Sequence, residues 1–141
     1  MRSQRSRRAV AAVELAFLLP FLAFLFVIAL DWARIFYYSL TCTNCARNGA
    51  VWAADPSAQP PPVGSGYSCY STLTSAALAD APNLNPSPTV TSTNGKDSAG
   101  NSYVAVSVTF PFHTITNFPG VPTTTTIVRT VQMDIAPNLP K

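Results

Sequence analysis

Residues 2–30 read RSQRSRRAVAAVELAFLLPFLAFLFVIAL. Four arginines, Arg2, Arg5, Arg7 and Arg8, crowd the start, and between Ala9 and Leu30 the only charged residue is Glu14. A helix over this apolar run is about 33 Å long, enough to cross roughly 30 Å of hydrocarbon. A secretory signal peptide shares the basic start. Its apolar core is about 7–15 residues, however, and it ends at a small-residue cleavage site. Here Leu15 to Leu30 runs directly into Asp31-Trp32-Ala33-Arg34. A retained membrane helix is therefore expected, with the arginine cluster holding the N-terminus in the cytoplasm. A carboxylate near the bilayer midplane costs about 2.5–3.5 kcal/mol on insertion scales, so Glu14 is read either as serving processing or assembly or as an interfacial acid tolerated near a helix start.

The helical period continues past the apolar run. Ile35, Tyr38, Cys42, Cys45, Gly49 and Trp52 follow one another at alternating steps of three and four, which puts them on one stripe. Arg34, Thr41, Asn44, Asn48 and Asp55 are expected on the opposite side. Pro20 should kink or loosen the helix, which membrane helices tolerate. Trp32, Phe36, Tyr37 and Tyr38 fall where an interfacial aromatic belt is expected. Asp55-Pro56 ends the helix, and Gln59-Pro60-Pro61-Pro62-Val63-Gly64 reads as a stiff connector.

Downstream, a short helix is expected over residues 71–81, stopped by Pro82. The period then changes to two. Val104, Val106, Val108, Phe110 and Phe112 alternate with Tyr103, Ala105, Ser107, Thr109 and Pro111, a strand with one strongly apolar face. Thr89 to Thr93 is a weaker strand, followed by Asn94, Gly95 and later Gly100, and residues 124–135 form a third. The fold class expected is α+β: one long N-terminal helix, transmembrane then amphipathic, packed on a small antiparallel sheet of about three strands. The chain divides into a basic leader at 1–9, a transmembrane helix at 10–31, its continuation at 32–55, and a small extracytoplasmic head at 56–141.

Charge excludes one function class. Residues 1–8 hold four of the nine basic residues, and residues 9–141 carry five basic and six acidic residues, one net negative charge. No basic surface is left for a nucleic acid. Nor does the chain carry a phosphate-binding glycine loop, a carboxylate pair or a histidine cluster, so no enzyme, metal, cofactor or small-molecule substrate is expected. His113 stands without an acid–base partner in sequence, and a structural role is expected for it. Arg47 is expected to cap or pair within the head. Asp31 and Arg34, three apart at the membrane exit, are read as a local pair worth a few tenths of a kcal/mol or as half of an inter-subunit salt bridge.

Cys42-x-x-Cys45 lacks the donors for a four-ligand zinc site and the strand-to-helix setting of a redox motif. A structural disulfide of Cys45 with Cys69, or of Cys42 with Cys69, would staple the connector to the helix and contribute about 3.5 kcal/mol by loop closure. Buried free thiols are the alternative.

Arg7-Arg8-Ala9-Val10-Ala11-Ala12-Val13-Glu14-Leu15-Ala16 resembles the start of TadE-like pseudopilins of the tight-adherence pilus system. Asp31-Trp32-Ala33-Arg34-Ile35-Phe36 looks like that family's membrane-exit step, and Asn44-Cys45-Ala46-Arg47-Asn48-Gly49-Ala50 is similar to its Ala-Arg-Glu-Gly-Ala stretch. The late strands, Val104 to Phe112 and Thr126 to Pro137, also look like its C-terminal pattern. The resemblance implies a pilin-like fold and cleavage between Ala9 and Val10 by a prepilin peptidase. The new ammonium on Val10 of one subunit could then pair with Glu14 of a neighbour, setting register as helices pack side by side. Implied partners are other pilin-like subunits, the pilus assembly platform, the peptidase and membrane lipid. The implied location is the cytoplasmic membrane, single-pass with the head outside, or an extracellular pilus built from it. The competing class is an uncleaved single-pass envelope protein whose head binds a partner without entering a filament.

Overall fold

The computed structural model describes residues 2–55, 70–115 and 123–135, with side chains from Val10 onward. Helix α1 runs from Arg2 to Ala54, 53 residues, continuous through Pro20, and is about 80 Å long at 1.5 Å per residue. Its window of highest mean hydropathy, 2.6, has none of its surface buried in the protein, the profile of a single candidate membrane span near the N-terminus.

Beyond it come α2 (Leu73–Ala77), a 3-10 turn (Leu78–Asp80), and strands β1 (Thr89–Lys96), β2 (Ser102–His113) and β3 (Thr124–Asp134). The strands form one antiparallel sheet in the order β1-β2-β3. The α+β layout expected from the pattern is the one observed. The connector at 59–64 lies outside the described residues.

The helix expected over 71–81 is shorter than its apolar pattern suggests. Thr72 is its N-cap: its hydroxyl accepts the Ser75 N–H, the Ser75 hydroxyl accepts the Thr72 N–H, and this capping box starts the helix at Leu73. Its last turn tightens to 3-10 geometry ahead of Pro82. Strand β1, by contrast, is longer than expected and passes through Asn94-Gly95 to Lys96. The reason is Tyr103, which faces Gly95 across the ladder and lays its ring on the glycine: a Cβ there would sit 2.5 Å from the ring. An aromatic side chain filling the space over a glycine keeps that strand paired. The turn itself is Asp97–Asn101. The Asp97 carboxylate accepts the Ala99 N–H at 2.9 Å and the Asn101 N–H at 2.8 Å, and Gly100 takes the left-handed conformation at φ +88°.

The core lies between the distal half of α1 and one face of the sheet. Val104, Val106, Val108, Phe110 and Phe112 of β2 are all buried, as the alternation requires. They meet small side chains on α1: Cys42, Cys45 and Ala46 with Val108, Phe110, Phe112 and Ile127, and Ala50 and Ala54 with Val104 and Val106. Gly49 marks the closest approach, where a Cβ would lie 3.1 Å from both Ala77 Cβ and Val106 Cγ1. Small residues on the helix let the branched strand residues sink against its backbone.

Three polar residues expected on the outer side of α1 engage the head instead: Asn48, half-buried and bonded to Asp80, and Thr41 and Arg34. Thr41 is buried, its hydroxyl donating to the Tyr37 carbonyl at 3.0 Å, so its polar atom is satisfied within the helix and its methyl can face the core. Arg34 lies over the Phe112 ring at 5.0 Å and the Tyr38 ring at 5.8 Å. Tyr38, expected both on the inward stripe and in the interfacial belt, follows the stripe and packs on Phe110 and Phe112, with ring centroids 5.1 and 5.6 Å apart. Trp32, Phe36 and Tyr37 remain exposed.

Candidate functional site at the membrane exit of α1

β2 runs antiparallel to α1, from Val104 beside Ala50 and Ala54 down to His113 beside Arg34. The foot of the sheet therefore meets the helix where its apolar run ends. Asp31, the first residue after that run, is 7% exposed. Its Oδ1 accepts from Arg34 Nη1 at 3.2 Å and from the Ile115 backbone N–H at 3.0 Å. Arg34 Nη1 also donates to the His113 carbonyl at 3.3 Å. Asp31 and Arg34 form an ion pair, and it is more than a local one. Together they satisfy backbone groups of the strand end some eighty residues away, so a buried carboxylate has both a cation and an N–H donor. These contacts tie the end of the apolar run to the foot of the sheet.

Two further polar contacts support the same junction. His113 Nδ1 lies 3.1 Å from Thr124 Oγ1 across the β2–β3 end, which gives the histidine a structural partner. Arg129, on the inward side of β3, donates from Nε to Ser39 Oγ on α1 at 2.9 Å. Neither Ile115 nor Ser39 was singled out in the sequence. Arg129 carried a signal, since a cation between Ile127 and Val131 on a strand's apolar side needs a polar partner on the element it faces. Higher up, Asn48 Nδ2 donates to Asp80 Oδ2 at 2.8 Å, joining α1 to the 3-10 turn. Arg47 is exposed.

Cys42 and Cys45 are fully buried free thiols. Burial raises the Cys42 thiol, and it pushes Cys45 up to about 11, helped by Cys42 and by the Asp80 charge. Thiols so held are poor nucleophiles and poor metal ligands at neutral pH. Both are reduced in this structure; Cys69 lies outside the described residues, and a bridge from it to either thiol stands as a proposal for the oxidised protein. No group of three potential metal-ligating side chains occurs among the described residues.

Glu14 sits on an exposed turn of α1 amid exposed Val10, Val13, Leu15, Phe17 and Leu18. Among the described residues it is part of no cluster, and a charge in an apolar layer calls for an offsetting partner. The backbone of Ala9 and of Arg2, Arg5, Arg7 and Arg8 continues the same helix.

Comparison with known proteins bears on this helix alone. The model of the TadE-like protein family matches residues 9–51, which include Ala9, Val10, Glu14, Asp31, Arg34, Cys42 and Cys45. No curated protein and no solved structure matches the chain. Residues 9–51 are thus a TadE-like segment, a membrane-type helix that continues unbroken into an α+β head.

Proposed function

We propose that the protein is a minor pseudopilin, or a closely related assembly component, of a tight-adherence-type pilus. The TadE-like match associates the chain with pilus assembly and a membrane, and the single candidate span agrees with that setting. The observation that carries the finer reading is Glu14. It is the one charge of the apolar run, exposed on its helix with no partner cluster among the described residues, and it is the fifth residue when Val10 is counted first. In this reading a prepilin peptidase cuts between Ala9 and Val10. The ammonium so formed on one subunit meets Glu14 of a neighbour within the same low-dielectric layer, where opposite charges offset each other's desolvation. Lateral packing of α1 follows, with the N-terminal side cytoplasmic and the head outside, and the head caps or primes the filament.

Mass spectrometry of the membrane-extracted protein is the test. A chain beginning at Val10 is expected. An intact residue 1–9 leader would leave the protein an uncleaved single-pass envelope component. Glu14→Ala is expected to insert at least as well as the parent and to be recruited poorly into the assembly. Unchanged recruitment would remove the register role.

A further inference from the structure

Ile115 is 60% exposed, yet its backbone N–H is held by Asp31, the residue that directly follows the apolar run. A long aliphatic side chain is thus fixed at the level where α1 leaves the hydrocarbon. We propose that the foot of the sheet, Ile115 together with Trp32 of α1, seats on the lipid bilayer as a second membrane contact, so that the head lies on the membrane surface rather than standing off it. This rests on the reading of α1 as a membrane span.

The argument is one of height. Val10 to Leu30 rises about 30 Å, the thickness of the hydrocarbon layer, and headgroups add roughly 5–8 Å on each side. Asp31 lies one residue above Leu30, and Ile115 is within a hydrogen bond of it, so both fall inside the headgroup layer. Trp32, 58% exposed, occupies the same level and has the amphipathic ring that this layer favours. Charge among the described residues does not oppose the seating. Asp31 is buried, and it and Arg34 neutralise each other, while His113, Thr114, Thr123 and Thr124 add no fixed charge at the foot. The opposite end of the sheet differs: Lys96, Asp97, Ser98 and Asn101 surround a polar turn. A lipid surface fits better than a second copy because what lies immediately below this foot, beside the descending helix, is the bilayer itself.

The experiment uses the full chain in vesicles of phosphatidylcholine and phosphatidylglycerol, with p-benzoylphenylalanine introduced singly at positions 17, 98 and 115. After illumination, mass spectrometry reads the lipid adducts. Positions 17 and 115 are expected to attach lipid, with several-fold more at 115 than at 98. Adduct at 17 with no more at 115 than at 98 would overturn the seated head and leave the span intact. No adduct at 17 would overturn the span, and the seated head with it.

Discussion

The two halves of α1 form one continuous helix but face different surroundings. Along Val10–Leu30 the large side chains, Phe17, Leu18, Phe21 and Leu22 among them, are exposed. Along the distal half the fully buried ones are Cys42, Cys45, Ala46 and Ala50. Size runs opposite to burial. Small residues are buried because the sheet must come close, as Gly49 shows with its two 3.1 Å neighbours. Large residues are exposed because nothing among the described residues covers them, the profile of a candidate membrane span. The same secondary structure thus serves as an internal wall over one stretch and as an outward-facing surface over the other. Asp31 and Arg34 mark the border.

If that division holds, substitutions in the distal half should destabilise the head, and the largest effect is expected from Phe112→Ala. Phe112 is 1% exposed and touches both Tyr38 and Arg34. Its loss should cost about 3–5 kcal/mol, read as a lower denaturation midpoint of the full chain in micelles. A loss under 1 kcal/mol would show that the core does not depend on this end of β2.

Asp31→Ala tests the border. It removes the acceptor of the Ile115 N–H and the anionic partner of Arg34, which keeps its bond to the His113 carbonyl, at a cost of about 1–3 kcal/mol. Hydrogen exchange should quicken first at Ile115. Global destabilisation without that local change would argue against this tie.

Gly49→Val should cost about 1–3 kcal/mol by overpacking against Ala77 and Val106, while Gly49→Ala should come out near zero. For alanine, a helix-propensity gain of about 1 kcal/mol opposes the tight contact. Equal effects of the two would mean the interface is looser than the distances say.

The smallest effect is a pH slope. Folding raises Cys45 from its ordinary 9.0 to about 11, so between those values the unfolded thiol loses its proton while the folded one keeps it. Stability from this group is therefore full below about pH 9 and is lost as pH rises toward 11. The unfolding midpoint should fall over that window, and less steeply in Cys45→Ala. An identical slope in the variant would assign the loss to other groups.

Much of the architecture was legible from periodicity. The apolar run, the three-and-four spacing on α1 and the alternation in β2 each report which face is covered, because burial of apolar area acts on every turn or pleat. What periodicity could not report was pairing between distant groups. Asp31 and Arg34 read as neighbours on a helix, and nothing in their spacing points to Ile115 or His113. Thr41 turns inward for a related reason: its type suggests a surface residue, but a hydroxyl satisfied by its own helix is at home inside, whereas Tyr38 packs where the three-and-four stripe puts it.

The sequence by itself determined that this protein has one membrane-length helix, a basic flank, an isolated acid at Glu14 and a small sheet-bearing head. Those follow from local composition and period, which each segment carries alone. Only the tertiary structure decided that the helix and head are locked together at the border, that the exit charges are used inside the molecule, and that Ile115 comes to the level of Asp31. These depend on which strand end arrives beside which helical turn, and that is set when β2 buries its valines and phenylalanines against the small residues of α1.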